Sequence, residues 1–309
     1  MFMKRAVNCG LVKADNMKQA ILLLSFGTPR QPSDLLPYLT SIRRGKIPTE
    51  RELKVLTARY DAIGQWDNKL LQTMGEEQKK TLKSLLAIDA MYLAYLHMPN
   101  SMEQAVESIA TAGYTSILCI VTSPFYSMIG TGAYERKLHS ILRAYPDISC
   151  EIIKSWWNRP QFFEYWRSQL MATNPLQADT ACIFSAHSVP TSTVGSYEDE
   201  VMSASTQIAK MVGLNHWYQA WQSAAPYGEW LGPTIESVIE QALIDGAKRI
   251  VCIPFGFVSD HVEILYDNDI VCRNIVENAG ATYERLPMPN GNTLFMEAMA
   301  KAIRERINK

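Results

Sequence analysis

Two stretches of the chain, residues 101–127 and 234–260, follow the same order of sequence features. The first reads SMEQAVESIATAGYTSILCIVTSPFYS and the second reads TIESVIEQALIDGAKRIVCIPFGFVSD. In each, an amphipathic helix ends at a glycine (Gly113 or Gly246), an apolar strand follows, and proline and phenylalanine come after the strand. Glycine is favoured at a helix end because it adopts the left-handed conformation without strain. Agreement in this order over about 25 positions predicts two structurally related halves.

Short apolar runs mark the strands of each half, and five of them predict buried parallel strands. These runs are Ile21–Ser25, Met91–Leu96, Ser116–Thr122, Ala181–Ser185 and Arg249–Phe255. Amphipathic helical patterns lie between them, and this alternation is typical of α/β proteins with parallel sheets flanked by helices. Such sheets bind ligands beyond the carboxyl ends of their strands, so we expect the site in a cleft between the halves.

The boundaries of the predicted halves follow from a helix break and from the first strand. Asn174-Pro175 interrupts a helical stretch, which places the boundary near residues 160–178. Residues 1–16 contain no apolar core of signal-peptide length, and we expect a disordered extension there. The remaining predicted units are an N-terminal lobe at 17–165, a C-terminal lobe at 175–290, and a terminal helix at 291–309 that packs back on the first lobe.

Composition and charge narrow the classes of partner. Of the 309 residues, 47% are hydrophobic and 20% are charged, and the formal net charge is −1. Because there is no basic excess, we expect neither nucleic acid nor an anionic membrane surface as a partner. No run of about 18 apolar residues occurs, so we expect a cytoplasmic protein without stable membrane association. The six cysteines form no C-x-x-C pair, which predicts buried reduced thiols rather than a zinc or iron–sulfur site.

The segment FSAHSVP places His187 just beyond an apolar strand. A histidine in a loop is usually satisfied by local hydrogen bonds, and that interpretation stays open for His187. Its position at a strand end, where α/β proteins bind their ligands, favours a role in chemistry instead.

A second group of polar residues follows the strand of the second repeat. The segment FVSDHVEILYDND contains Asp260, Glu263, Asp267 and Asp269. Asp260 and Glu263 have the spacing of a capping box at a helix start, which needs no ligand. Glu263 and Asp267, at i and i+4, would repel each other on one helix face unless a cation or solvent separates them. Together with His187, these carboxylates form a ligand set that suits Fe²⁺, Zn²⁺ or Co²⁺.

Signatures of other α/β enzymes are missing from the sequence. It contains no G-x-S-x-G elbow, no G-x-G-x-x-G fingerprint and no P-loop. The sequence therefore does not support a serine hydrolase, a dinucleotide-binding enzyme or a P-loop nucleotide-binding enzyme.

Six segments of the chain resemble signature segments of ferrochelatases. They are LLLSFGTP at 22–29, YLTSIRRGK at 38–46, ARYDAIG at 58–64, FSAHSVP at 184–190, WQSAAPYGEWLGP at 221–233 and GFVSDHVEILYDND at 256–269. The resemblance covers most of the chain and is greatest to the soluble coproporphyrin III ferrochelatases of Gram-positive bacteria. It implies an α/β chelatase-type fold of two Rossmann-like lobes with a cleft between them, in agreement with the two related halves.

The resemblance implies an enzyme, a ferrochelatase that inserts Fe²⁺ into a porphyrin in haem biosynthesis, with coproporphyrin III preferred and protoporphyrin IX as a further substrate. In the family the matching histidine and glutamate face each other across the cleft, so His187 and Glu263 are the implied catalytic and metal-binding residues. A histidine with a pKa near neutrality suits proton transfer or metal binding, and which residue takes the pyrrole proton stays open. Asp267 is the implied delivery site for the ion. Iron is then a substrate, and we expect no permanently bound cofactor.

The resemblance also implies which residues bind the porphyrin, because they match the family's porphyrin contacts. The implied substrate-binding residues are Phe26, Arg43, Arg59, Tyr60, Asp67 and Tyr134. Phe26 stands where coproporphyrin III ferrochelatases usually have a tyrosine that approaches the iron, and phenylalanine cannot ligate iron. Asp67 lies in the loop GQWDNK, which departs from the family's Gly-Gly-x-Ser-Pro-Leu. We expect the porphyrin, Fe²⁺ and a downstream haem-pathway enzyme as partners of a monomeric protein.

Two alternatives stand beside this hypothesis. A porphyrin- or haem-binding paralogue without turnover would keep the pocket, and Phe26 favours it more than the family's tyrosine would. A cobalt or nickel chelatase for a reduced tetrapyrrole would keep the fold. The retained pair of His187 and Glu263 argues against a carrier, since binding alone does not need both residues.

Overall fold

The first half of the chain forms one parallel sheet in the computed structural model, which describes residues 18–66, 70–225 and 227–308. The strands are β1 (Gln19–Ser25), β2 (Met91–Tyr95), β3 (Ser116–Val121) and β4 (Ser149–Ile153), in the order β2-β1-β3-β4. The predicted runs at 21–25, 91–96 and 116–122 form β1, β2 and β3. Residues 1–16, for which a disordered extension is predicted, lie outside the described residues.

The second half repeats this sheet. Its strands are β5 (Thr180–His187), β6 (Trp217–Gln222), β7 (Arg249–Ile253) and β8 (Thr282–Arg285), in the order β6-β5-β7-β8. In both halves the strand of the sequence repeat pairs with the first strand, since Ile21 pairs with Leu118 and Ala181 pairs with Ile250. The two sheets therefore have the same strand order, which confirms the predicted α/β fold of two related halves.

Helices connect the strands of both sheets. Within the described residues they are α1 (Leu35–Ile42), α2 (Glu50–Ala62), α3 (Leu70–Leu86), α4 (Ser101–Thr111), α5 (Thr131–Leu142), α6 (Pro160–Ala172), α7 (Tyr197–Val212), α8 (Ile235–Ile244), α9 (Arg273–Asn278) and α10 (Thr293–Ile307). A π-helix, Glu263–Cys272, leads directly into α9. Of these helices, none is both long and apolar enough to cross a membrane. The predicted cytoplasmic location and monomeric state stay predictions.

The two sheets share one layer of helices, called here the middle layer and formed by α3, α6, α7 and α10. Side chains from the inner faces of both sheets, such as Leu23 and Phe184, belong to the same buried cluster as Trp166, Ile208 and Phe295 of this layer. The outer face of the first sheet packs on α4 and α5, and that of the second packs on α8 and α9. The largest core of the molecule therefore lies between the two sheets.

The terminal helix α10 lies against α3 and α6. Its Phe295 ring packs 5.2 Å from the ring of Tyr165 and 5.5 Å from that of Trp156. Asn292 caps the helix, since its side-chain oxygen accepts from the backbone N–H of Phe295. The predicted lobe limits at 17–165, 175–290 and 291–309 stay predictions.

Candidate functional site

Strand β5 ends at His187, at the carboxyl end of the sheet where parallel sheets bind ligands. The Nδ1 atom of the ring lies 2.5 Å from the carbonyl oxygen of Ser188, so Nδ1 carries a proton and donates it. The Tyr197 hydroxyl donates to the carbonyl oxygen of His187 over 2.9 Å and holds the backbone. The other ring nitrogen, Nε2, lies 3.4 Å from Oε1 of Glu263.

Glu263 is the first residue of the π-helix. Its backbone N–H donates to Nδ1 of His261 over 3.1 Å, and its carbonyl oxygen accepts from Nε2 of Gln222 over 3.4 Å. These bonds hold the Glu263 backbone from two sides while the carboxylate faces His187. The side chains of His187 and Glu263 are 37% and 29% exposed, so a ligand can reach both. π-Helices are rare and concentrate at functional sites.

The pKa values of the pair are displaced in opposite directions. Burial lowers the pKa of His187, but the neighbouring Glu263 carboxylate outweighs burial and raises this pKa to about 9. Burial likewise raises the pKa of Glu263, but the charge and hydrogen bond of His187, with His261 and Arg59, lower it to about 2. Each group thus favours the charged form of the other, an imidazolium beside a carboxylate.

Asp267 lies one turn further along the π-helix and is 7% exposed. Its Oδ2 accepts from the Ser223 hydroxyl over 2.8 Å, and its Oδ1 lies 3.3 Å from Nη1 of Arg59. Burial raises the pKa of Asp267 to about 6, although Arg59 and Ser223 act in the opposite direction. Asp267 lies close to Arg59, and Glu263 lies close to His187. These neighbours reduce the repulsion expected between the two carboxylates.

The capping box predicted for Asp260 and Glu263 is wrong. The backbone N–H of Asp260 donates to Oδ1 of Asn290, and Nδ2 of Asn290 donates to Oδ2 of Asp260, both over 2.9 Å. The cap position is Val262, which makes no side-chain hydrogen bond. The reason is competition: Arg285 lies 3.3 Å from Asp260, and His187 holds the Glu263 carboxylate.

Asp269 is paired with Arg285. Both of its carboxylate oxygens accept from Arg285, over 2.7 and 2.8 Å. Such a bidentate ion pair occupies both oxygens, so Asp269 is committed to Arg285 in this structure. Of the four carboxylates in the segment 257–269, Glu263 is the one that faces His187.

Among the predicted substrate-binding residues, Arg59 lies beside the π-helix that begins at Glu263. It comes from the last turn of α2, in the first half, and its guanidinium lies 4.9 Å from the ring centroid of Tyr266. With the ion pair to Asp267, this contact joins the two halves across the site.

The other predicted substrate-binding residues lie in different surroundings. Phe26 follows β1 and is 44% exposed, with its ring 4.4 Å from that of His97. Tyr60 and Tyr134 are buried at 1% and 4% exposure, so neither ring forms an open wall in this structure. Arg43 forms an ion pair with Glu52, which is also engaged in capping α2. Asp67 lies outside the described residues.

The pair offers two ligands to a cation, Nε2 of His187 and a carboxylate oxygen of Glu263. Within residues 18–66, 70–225 and 227–308, no group of three or more His, Cys, Asp or Glu side chains could hold an ion together. Structural metal sites usually have four protein ligands.

Several residues that shape the site carry no signal of their own in the sequence. They are Tyr197, Gln222, Ser223, His261 and Tyr266. Four of them fall inside the segments 221–233 and 256–269 that resemble ferrochelatases, so the motif found them without indicating their contacts. Tyr197 lies outside those segments, and only its packing beneath His187 identifies it.

Comparison with known proteins shows the family of this chain. A family model described as Ferrochelatase matches residues 18–307. The chain belongs to the ferrochelatase family. Membership confirms the predicted enzyme class, a metal-inserting chelatase of haem biosynthesis, for which the family implies a porphyrin and a metal ion as substrates.

Curated members of the ferrochelatase family align with nearly the whole chain. The coproporphyrin III ferrochelatase of Geobacillus kaustophilus is 33% identical over 302 residues, which cover 93% of this chain and 95% of that protein. The coproporphyrin III ferrochelatase of Staphylococcus aureus is 31% identical over 303 residues, covering 93% of this chain and 98% of that protein. The resemblance expected to coproporphyrin III ferrochelatases of Gram-positive bacteria is confirmed.

Solved structures agree with the chelatase fold of this ferrochelatase-family chain. The sirohydrochlorin chelatase SirB of Bacillus subtilis, in complex with cobalt, aligns with a TM-score of 0.60 at 10% identity, covering 94% of this chain and 95% of SirB. CbiX, described as the terminal enzyme of sirohaem biosynthesis in denitrifying bacteria, aligns with a TM-score of 0.52 at 12% identity, covering 93% and 98%. At such low identity the likeness concerns the fold alone.

Proposed function

We propose that this ferrochelatase-family chain inserts Fe²⁺ into coproporphyrin III, and also accepts protoporphyrin IX, with His187 and Glu263 as the reacting pair. The observation that carries the proposal is the 3.4 Å approach of His187 Nε2 to Glu263 Oε1, at the carboxyl end of β5. The preference for coproporphyrin III is supported by relatives of that name with 31–33% identity over 93% of the chain.

Insertion of a divalent ion releases two protons, because both pyrrole N–H groups must lose theirs for four nitrogens to bind the metal. The site must therefore supply acceptors for two protons and a ligand that releases the ion. An imidazole and a carboxylate meet both needs, since each can bind a cation or a proton.

The protonation of the resting pair sets the order of steps that we propose. With a pKa of about 9, His187 holds a proton at neutral pH and can neither bind Fe²⁺ nor accept a pyrrole proton. The incoming dication replaces that proton, as metals do at histidine ligands, and binds to Nε2 and to the Glu263 carboxylate. Transfer of the ion to the macrocycle frees Nε2, which takes one pyrrole proton, while Glu263 takes the other and releases it to water.

The macrocycle itself needs an apolar wall and cations for its carboxylate arms. We propose that the exposed ring of Phe26 supplies part of the wall. Arg59 and Arg43 are proposed to bind the carboxylate arms. Tyr60 and Tyr134, which are buried, are proposed to support this wall from behind rather than to contact the disc.

The test is anaerobic metalation followed by the shift of the Soret absorption band. Purified protein is mixed with Fe²⁺ and either coproporphyrin III or protoporphyrin IX, and the initial rates are compared. We expect wild type to metalate coproporphyrin III faster, and His187→Ala and Glu263→Gln to lose about 100-fold or more of the rate. His216→Ala and Glu277→Gln, which change the same residue types at exposed positions, are the matched controls.

Other outcomes would favour the alternatives. Tight porphyrin binding without metalation by wild type would favour a carrier. Insertion of Co²⁺ or Ni²⁺ into a reduced tetrapyrrole, with no metalation of either porphyrin, would favour a chelatase of that kind.

A further inference from the structure

Arg59 is the contact through which the first half reaches the carboxylates of the second. Its guanidinium lies 3.3 Å from Oδ1 of Asp267 and rests 4.9 Å from the ring centroid of Tyr266. The same charge also contributes to the low pKa of Glu263. One arginine side chain of α2 therefore stands where a cation approaching both carboxylates would experience its repulsion.

Both oxygens of Asp267 have a partner, and the two partners differ in how easily they can leave. Ser223 follows β6, in the same half as Asp267, and its hydroxyl donates to Oδ2 over 2.8 Å. Arg59 comes from the other half, and its side chain is 36% exposed whereas that of Asp267 is 9% exposed. A long and partly solvated side chain can turn outward at little cost, so Arg59 is the partner that can be replaced.

We propose that in the porphyrin-free enzyme the ion pair with Arg59 keeps a metal ion from binding to Asp267. A carboxylate arm of the bound porphyrin then takes Arg59 away from Asp267. The metal ion therefore binds after the macrocycle. This inference rests on the proposed function. It makes Arg59 a positioning residue that couples the two substrates, in addition to its role as a porphyrin contact.

The physical reason is an exchange of partners. A guanidinium binds one carboxylate at a time in its best bidentate geometry, so an arriving carboxylate arm competes with Asp267 for Arg59. A buried carboxylate that has lost its cation is costly, and a divalent ion removes that cost. Porphyrin binding therefore raises the affinity for the metal ion, and by reciprocity a bound ion raises the affinity for the porphyrin.

The first measurement is the affinity for Co²⁺ without porphyrin, by titration calorimetry at pH 8. We expect Arg59→Gln to bind Co²⁺ about fivefold or more tightly than wild type, and Arg59→Lys to stay near wild type because it keeps the charge. Arg51→Gln removes a positive charge from the exposed face of the same helix and should change the affinity little. In an Asp267→Asn background, Arg59→Gln should have no further effect.

The second measurement tests withdrawal by the macrocycle. Palladium(II) coproporphyrin has its centre filled by an inert ion and keeps its carboxylate arms, whereas its tetramethyl ester has the arms blocked. We expect the acid form to raise the Co²⁺ affinity of wild type towards that of Arg59→Gln and to leave Arg59→Gln unchanged. The ester should have no effect on either protein.

The outcomes separate this inference from the proposed function. If wild type metalates porphyrin but Arg59→Gln binds Co²⁺ no more tightly than wild type, the proposed role of Arg59 is refuted and the proposed function is not. If the tetramethyl ester acts as strongly as the acid, withdrawal by carboxylate arms is refuted. If no variant binds Co²⁺ and wild type does not metalate, both proposals fail together.

Discussion

Phe26 stands where the resemblance to coproporphyrin III ferrochelatases implies a tyrosine. Phe26 is 44% exposed, directly after β1, and its ring packs edge-on against His97 and Tyr38, with centroid distances of 4.4 and 6.2 Å. A tyrosine in the same place would present a hydroxyl that can bind ferric iron, as in catalase. If this ring faces the iron of the product, as we propose, phenylalanine leaves that coordination position open.

A change of Phe26 to tyrosine tests this difference. With Fe³⁺ coproporphyrin bound, we expect Phe26→Tyr to show a phenolate-to-iron charge-transfer band that wild type lacks, and to release the product more slowly because one more ligand must break. Phe26→Leu is the control and should show no such band. An unchanged spectrum in Phe26→Tyr would mean that this ring does not face the iron.

His97 makes the stability of the fold depend on pH. Burial, with the charge of Lys137, lowers the pKa of His97 from 6.5 to about 4. The unfolded chain therefore binds a proton between these values while the folded chain does not, so stability is full above pH 6.5 and is lost as pH falls towards 4. We expect the Tm of wild type to fall more between pH 7 and about pH 5 than that of His97→Gln. Parallel Tm curves for the two proteins would contradict this assignment.

Among the elements, the π-helix depends on a buried side chain in the neighbouring strand β6. Gln222 is 1% exposed and accepts from the Ser185 hydroxyl over 2.9 Å and from Nδ2 of Asn268 over 3.4 Å. Its own amide donates to the carbonyl oxygen of Glu263. One amide thus links β5, β6 and the π-helix at the point where the reacting pair lies.

Replacement of Gln222 by methionine should destabilise the protein. The variant keeps the side-chain length but removes the acceptor of the Ser185 hydroxyl and of the Asn268 amide, and one donor to the Glu263 carbonyl oxygen. We expect a loss of about 2–3 kcal/mol in the free energy of unfolding. Urea denaturation measures this loss. Gln241→Met on the exposed face of α8 is the control and should change stability by less than about 0.5 kcal/mol.

The sequence predicts the central strands and one edge strand, β2, but not the other three edge strands. β1, β3, β5 and β7 lie inside the sheets, so both faces are covered and their sequences are continuous apolar runs. The missed strands β4, β6 and β8 lie at edges and contain exposed or polar residues, which hide the pattern.

The sequence likewise predicts some features of the candidate site and not others. The motif located His187 and Glu263, but their mutual pKa displacement depends on a distance that no sequence contains. The contact of Arg59 with Asp267 depends on how the two halves pack, and the cap assigned to Asp260 was lost because Arg285 and Asn290 are stronger partners. Local spacing predicts which partners are available, and tertiary packing decides among them.

At the scale of the whole molecule, the middle layer joins both halves into one core. Leu23 and Ile120 of the first sheet and Phe184 and Val251 of the second belong to a single buried cluster with the helices between them. A core that both sheets share cannot be lost from one half alone. We therefore expect one unfolding transition rather than two.

Phe295 provides a test of this cooperativity. It is fully buried, and its ring lies 5.5 Å from Trp156, 5.7 Å from Phe162 and 5.2 Å from Tyr165. Phe295→Ala should cost about 3–5 kcal/mol and shift a single calorimetric peak to lower temperature. Leu294→Ala changes the exposed neighbour and should shift the peak little. Two peaks, with only one displaced by Phe295→Ala, would show that the halves unfold independently.

The middle layer also limits how the halves can be exchanged between relatives. A substitution on an outer face, such as Val106 of α4 or Ile239 of α8, alters the packing of one sheet only. A substitution in α6, α7 or α10 alters a surface on which both sheets rest. In a chimera that takes one lobe from another ferrochelatase, these helices come from the same parent as only one of the two sheets. Their packing against the sheet from the other parent is therefore not matched.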